Sequence, residues 1–239
     1  MIFLFTDFGS GDIYVGQMKA VLYERARSVP VMDLLNDVPA FNVKAGAHLL
    51  AAFAARLPKA SVTLAVVDPG VGGPRDPVAV LADGRWFVGP DNGLVSVVAA
   101  RAAKSEVYTI GWRPEKLAVT FHGRDLFAPV TAMLAGAGRK TAQLKKRAQL
   151  VVKFGAEDLG EIIYVDHYGN LHTGLRAGAV PQDRRLVING RQVPYARMFS
   201  QVPAGEVFWY ENSLGLIEIA ANSASAQQLL GFKPGNTLG

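Results

Sequence analysis

The sequence predicts a doubly wound α/β domain followed by a small β domain, and three observations carry that prediction. Up to about residue 135, short apolar runs alternate with segments whose apolar residues recur at helical spacing. The run Val62, Leu64, Ala65, Val66, Val67 is apolar without alternation, as a strand covered on both faces requires, and it stops on a carboxylate, Asp68. From Val151 the texture changes to strand-like segments separated by Gly, Pro and Asn turns. The boundary is expected near residue 150, giving domains 1–150 and 151–239.

The elements follow in order. Ile2 to Phe5 is a short buried strand, and Tyr14 to Arg25 carries Val15, Met18, Val21 and Leu22 on one helical face. Val29 to Leu35 reads as the second strand, and the alanine-rich stretch Val43 to Arg56 as a helix stopped by Pro58. Val78 to Ala82 and Arg85 to Val88 flank Asp83-Gly84 as a hairpin. Leu94 to Ala103 reads as a helix, Val107 to Ile110 as a strand, Ala118 to Phe121 as a further short strand, and Leu126 to Leu134 as a helix. In the second domain, strands are expected at Ile162 to Val165, Arg185 to Ile188, Glu206 to Tyr210 and Leu216 to Ile219, with Asn189-Gly190 as a hairpin turn.

Composition narrows the function classes. Of 239 residues, 50% are apolar and 19% charged, which is globular and unlike a disordered chain. There is no cysteine, so disulfides, thiolate metal sites and cysteine catalysis are excluded, in keeping with a reducing compartment. The net charge of +5 is concentrated in Arg139 to Lys153. That run lacks interleaved aromatics, so it reads as a solvated helix face or linker, with no nucleic-acid partner expected. Met1 to Phe5 is too short for a signal-peptide core, and Ala45 to Leu57 is broken by His48 and Arg56. A cytoplasmic protein with no membrane partner is expected.

Charged residues gather where strands of such a sheet end, and there ligands bind in open α/β folds. Asp7 follows the first strand, Asp68 ends the central one with Arg75 beyond a glycine-rich turn, and His122-Gly123-Arg124-Asp125 precedes a helix. Each also has a plain structural reading: Asp7 as a turn or cap residue, Asp91-Asn92-Gly93 as a turn, Arg124-Asp125 as a helix start. The stretch after Asp68 has neither dinucleotide-fingerprint nor P-loop spacing, Gly-X-Ser-X-Gly is absent, and no histidines or carboxylates stand at metal-ligand spacing. No metal and no cofactor are expected.

Six motifs in colinear order resemble one family. They are Thr6-Asp7-Phe8-Gly9, Val67-Asp68-Pro69-Gly70-Val71-Gly72 with Arg75, Pro90-Asp91-Asn92-Gly93-Leu94, Thr120-Phe121-His122-Gly123-Arg124-Asp125, Asp166 through Asn170, and Asn212-Ser213 with Glu218-Ile219-Ala220. The chain is similar to the S-adenosyl-L-methionine (SAM) hydroxide adenosyltransferases, or SAM hydrolases, which are related to the SAM-dependent fluorinase and chlorinase. The resemblance implies a three-layer α/β/α N-terminal domain with a mainly parallel sheet, and a C-terminal β-barrel-like domain. It also implies a homotrimer with active sites between subunits, and attack of water or hydroxide on ribose C5′ to give adenosine and methionine. Clearing of the (R)-sulfonium epimer is the role it suggests.

The same resemblance assigns residues. Asp68, Arg75 and His122 form the catalytic set, and Asp7 grips the ribose diol. Asp166 and Ser213 contact the methionine moiety, Asn170 contacts the adenine edge, and Glu218 to Ala221 lie along the base. Phe41, Phe121 and Phe199 wall the pocket, with core packing as the other reading. Gly174 and the run Ala221-Asn222-Ser223-Ala224 depart from the family pattern on the adenine side. Two alternatives stand: a halogenase of the same superfamily, whose members carry Tyr where Asp68 stands, and a non-catalytic SAM- or adenosine-binding protein.

Overall fold

The structure, a computed structural model, describes residues 1–136, 141–188 and 190–238. The chain divides into two compact units, Met1–Ala156 and Glu157–Gly239.

The first unit is built on strands β1 (Ile2–Thr6), β2 (Val31–Leu35), β3 (Val62–Val66), β4 (Pro77–Ala82), β5 (Arg85–Pro90), β6 (Ser105–Ile110) and β7 (Leu144–Arg147). They form one seven-stranded sheet in the order β2-β1-β3-β5-β4-β6-β7. β2, β1, β3 and β5 pair in parallel, while β4 and β7 run against the rest. Every residue of β1 and β3 is buried, as expected for strands covered on both faces.

Four helices supply the cover: α1 (Ile13–Arg25), α2 (Val43–Ala54), α3 (Ser96–Arg101) and α4 (Ala128–Ala135). Ile2, Leu4, Val62 and Leu64 pack with Met18 and Leu22 of α1 and with Val130 of α4. On the other face Phe5 meets Phe53 of α2 edge-on, with ring centroids 6.3 Å apart. Met18 and Leu22 are fully buried, each stabilising by about 2 kcal/mol over exposure. α1 starts where Asp12 accepts from its first amide, and α2 where Asn42 accepts from Ala45.

Two expectations fail in this unit. Ala118 to Phe121 is a turn, not a strand, and it leads into a π-helical turn, Gly123–Phe127, that runs directly into α4. Its apolar residues serve packing: Phe121 meets Phe8 and Tyr14 edge-on, and Asp125 ties the loop down by accepting from the Ala118 amide. The basic run forms an edge strand, β7, in place of a helix or linker, while Arg139 and Lys140 lie outside the described residues. Lysines on an edge strand discourage pairing with another chain.

The second unit comprises β8 (Leu159–Val165), β9 (Leu171–Arg176), β10 (Leu186–Ile188), β11 (Arg191–Val193), β12 (Val207–Glu211), β13 (Leu216–Ala221) and the short helix α5 (Ala226–Leu230). Its main sheet is antiparallel in the order β12-β13-β9-β8, and β10 and β11 pair as a hairpin. Of the expected Asn189-Gly190 turn, Gly190 precedes β11 with φ 74°, and Asn189 lies outside the described residues. Trp209, Ile217, Ile219, Leu171 and Ile162 form the core. Single bridges extend both sheet edges, Tyr195 beside Trp209 and Thr237 beside Glu161. Among the described residues, no helix is long and apolar enough to cross a membrane.

Candidate active site

Asp68 stands just past the end of β3, with its side chain 3% exposed. A buried charge of this kind needs a partner, and local chain geometry provides it. The Val71 amide donates to Asp68 O and the Gly73 amide to Gly70 O, so two successive turns double the chain back. Gly72 makes that path possible: its φ is +84°, and a Cβ there would lie 2.9 Å from the Val119 carbonyl. Arg75 therefore returns to Asp68. Its Nε donates to Oδ1 and Oδ2 at 2.8 and 2.9 Å, and its Nη2 also donates to Oδ2.

The same Nη2 lies 3.1 Å from Nδ1 of His122. A guanidinium only donates, so Nδ1 carries the lone pair, and a neutral His122 has its proton on Nε2. His122 is held below the ordinary histidine value, first by burial and then by the Arg75 cation. It immediately precedes the π-helical turn, whose Arg124 donates to Asp125 and Gln17 and covers the Phe121 ring.

Asp68 and Arg75 line a cavity of about 580 Å³ with Val43, Pro69, Pro74 and Val152. Asp91 and Asn92 border it too, but their polar atoms are spent on structure. Asp91 is 3% exposed, accepts from the Val151 amide, and pairs with Arg147 at 3.1 Å. Asn92 donates to Val67 O and accepts from the Leu94 amide. Asp7 accepts from the Phe41 amide at 3.0 Å. Its carboxyl is pushed up by burial first, with the Asp68 charge adding and the Phe41 amide opposing. Phe41 itself is 76% exposed, with φ 63°. Phe121, by contrast, packs against the core of the first unit.

In the second unit Asn170, Phe199 and Ala221 line a cavity of about 480 Å³ together with Tyr168, Ser223 and Ala224. Asp166 organises its rim: Oδ1 accepts from the Tyr168 and Asn170 amides, and Oδ2 from the Asn170 side chain. Ser213 is exposed in the turn between β12 and β13. Glu218 does not reach this cavity; it is 4% exposed and accepts from Tyr210 and Asn212. Gly174 has a packing reason to be glycine, since a Cβ there would lie 2.6 Å from Leu159.

Spacing in the sequence suggests no metal cluster, yet the fold brings Asp166, His172 and Glu218 within 4.8 Å of one another. Both carboxylates already accept hydrogen bonds there, and Asn212 lies 3.1 Å from His172 Nδ1. Sequence reasoning missed His172 and Tyr210 because strand pairing alone joins them to Glu218 and to Asn212 of the Asn212-Ser213 motif. Tyr168, Ser223 and Ala224 stand within the quoted motif and the departing run, but without a role assigned to them there.

Comparison with known proteins shows the family of the chain. Residues 2–145 match the model of the SAM hydroxide adenosyltransferase N-terminal domain, and residues 160–239 that of the C-terminal domain. An (R)-S-adenosyl-L-methionine hydrolase of Thermus thermophilus is 38% identical, over 98% of this chain and 96% of its own. A crystal structure of an uncharacterized conserved protein from Thermotoga maritima superposes with a TM-score of 0.89 at 31% identity, covering 98% of each chain. A fluorinase of Actinopolyspora mzabensis is more distant, 23% identical over 98% of this chain and 95% of its own. With both units matched, the chain belongs to the SAM hydroxide adenosyltransferase family.

Proposed function

We propose that the protein hydrolyses SAM to adenosine and L-methionine, with water attacking ribose C5′. The C5′–O bond forms as the C5′–S bond breaks, and the electron pair goes to sulfur. Methionine leaves as a neutral thioether, so the leaving group needs no acid. The reaction then uses SAM and water alone, with no metal or cofactor.

The observation that carries this reading is the chain Asp68–Arg75–His122, with Asp68 buried at a strand end. Water is a poor nucleophile, but its oxygen turns cationic as the C–O bond forms, and a carboxylate then suffices to take the proton. Asp68 is the anion of the set. Arg75 holds it in one orientation, and His122 offers an Nε2–H donor to the attacking oxygen, so the water is aimed at C5′. A buried carboxylate also repels halide, which opposes the halogenase alternative. Asp7 grips the ribose diol, with Phe41 and Phe121 beside it; Asp166 and Ser213 take the methionine end; and the Asn170–Phe199–Ala221 cavity takes the base. Glu218 does not line that cavity.

Relatives named (R)-S-adenosyl-L-methionine hydrolases support the (R)-sulfonium epimer as the preferred substrate. The site is completed by association into a cytoplasmic homotrimer, each active site shared between neighbouring subunits.

The test is incubation of the purified protein with each SAM epimer, with and without chloride. Adenosine and methionine in equal amounts, faster from the (R) epimer, are expected. A 5′-chloroadenosine product, or bound but unchanged SAM, would overturn the assignment.

A further inference from the structure

Strand pairing sets His172 of β9 between two carboxylates. Its Nε2 lies 3.8 Å from Asp166 Oδ2 and 3.3 Å from Glu218 Oε2, buried and without a hydrogen-bond partner among the described residues. Two carboxylates and an imidazole could hold a metal ion, and Nε2 would then be the ligand atom, with its lone pair free. The position of the ring proton decides between that role and another.

Asn212 fixes that position. Its Oδ1 accepts from the Leu214 and Leu216 amides at 2.9 and 3.0 Å, so the oxygen end of its amide is committed to the turn. The Nδ2 end then faces the cluster, 3.0 Å from Glu218 Oε2 and 3.1 Å from His172 Nδ1. An amide nitrogen only donates, so Nδ1 holds the lone pair and the neutral ring carries its hydrogen on Nε2. A protonated Nε2 does not ligate a metal. Its hydrogen faces the two carboxylates, and Tyr164 packs edge-on against the ring, with centroids 5.5 Å apart.

Glu218 is 4% exposed and Asp166 is half-buried, and among the described residues neither pairs with a lysine or an arginine. Like charges this close repel. The single N–H of His172 offsets the repulsion without adding charge, so the pair keeps its negative charge for a cation that arrives with the ligand. The methionine end of SAM brings one, its α-ammonium.

We infer that His172, locked by Asn212 as the Nε2–H tautomer, is a positioning residue for the methionine end of the substrate. Its hydrogen holds Asp166 beside Glu218, so that the Asp166 carboxylate meets the α-ammonium in one orientation. Without it the Glu218 charge faces Asp166 Oδ2 directly. This role rests on Asp166 taking the methionine end, as proposed above.

The test measures calorimetric binding of S-adenosyl-L-homocysteine and of adenosine to the wild type, His172→Gln and His172→Leu. The first ligand carries the α-ammonium, and the second lacks the whole amino-acid end. Glutamine offers Asn212 an acceptor and the carboxylates a donor; leucine offers neither. His172→Leu should bind S-adenosyl-L-homocysteine about tenfold more weakly, as loss of a hydrogen bond to charged groups implies. Adenosine binding should not change, since Asp166 keeps its bonds to Tyr168 and Asn170. His172→Gln should return to within about threefold of the wild type. With SAM as substrate, the leucine variant should raise KM and leave kcat in place. NMR of the ring nitrogens in the wild type, at alkaline pH where the ring is neutral, should show the hydrogen on Nε2 with and without added zinc ion.

Equal weakening of both ligands in His172→Leu, or equal behaviour of leucine and glutamine, overturns the positioning role. A hydrogen on Nδ1, or zinc bound at Nε2, overturns the tautomer, and that reading needs no variant to fold. If SAM is not hydrolysed at all, the reading of function fails, and the ratio of the two dissociation constants decides the role of His172 alone.

Discussion

Arg75 spends one nitrogen, Nη2, on two neighbours at once, the Asp68 carboxylate and Nδ1 of His122 3.1 Å away. The arrangement needs a planar cation with several donors at fixed angles. Lysine keeps the charge but presents a single point on a flexible stem. Arg75→Lys is therefore expected to fold as the parent does and to lose about a hundredfold in kcat, with KM changed much less. Steady-state kinetics with circular dichroism checks this. A variant within threefold of the parent would show that the bridge to His122 is dispensable.

The bridge also fixes a pH dependence. His122 accepts from Arg75 only when neutral, and burial and the Arg75 cation hold it below the ordinary value of 6.5. Activity should be level near pH 7 and fall on the acid side, with the His122 transition below 6.5. The stability effect has the same sign. The unfolded chain takes this proton first, so stability drops as pH falls from about 6.5 through the folded value, and nothing changes above that window. An NMR titration of the His122 ring, assigned with His122→Gln, measures the midpoint directly. A midpoint at or above 6.5 contradicts the acceptor role.

Asp7 carries the opposite shift, raised chiefly by burial. Its contribution is most favourable below the unfolded value of about 3.9 and is lost as pH rises through the folded one, so at neutral pH the charge opposes folding. Asp7→Asn keeps an oxygen for the Phe41 amide. It should melt no lower than the parent at pH 7, and its advantage should vanish near pH 4. Its KM for SAM should rise about tenfold or more, because a charged partner of the ribose diol is gone. Lower melting at pH 7 with unchanged KM would mark Asp7 as a loop anchor only.

These residues differ in how far sequence alone exposes them. Asp68 and Arg75 were legible because a buried strand ending on a carboxylate and a glycine turn are local features seven residues apart. His122 stands 47 residues beyond Arg75; strand ends alone put it at the same rim, and the family resemblance joined it to them as one catalytic set. The apolar content of Ala118 to Phe121 mimicked a strand because Phe121 is needed against Phe8 and Tyr14. β9 escaped notice because His172 and Thr173 look like surface residues. Thr173 is buried, and its hydroxyl is satisfied by Ile217 O on the neighbouring strand at 2.8 Å. Periodicity cannot anticipate a partner supplied by strand pairing. The same applies to Glu218, which the resemblance places along the base and which is instead held inside by Tyr210 and Asn212.

Asp91 tests whether the Val151–Val152 wall of the Asp68 cavity depends on a single buried carboxylate. Its side chain is 1% exposed, accepts from the Val151 amide through both oxygens, and pairs with Arg147 at 3.1 Å. Asp91→Ala leaves an amide and a partly exposed guanidinium without this acceptor, at a cost of about 2–3 kcal/mol. For a domain of this size that lowers Tm by about 5–10 °C. Asp91→Asn still offers one oxygen to the amide but removes the charge, and Arg147 keeps Asp76 at 3.3 Å. It should therefore lose less than half as much. Equal losses in the two variants would mean that the ion pair, and not the amide bond, holds the segment; calorimetric melting of both separates the cases. Because Val151 and Val152 border the cavity that holds Asp68 and Arg75, Asp91→Ala should also raise KM while leaving kcat within a few-fold of the parent.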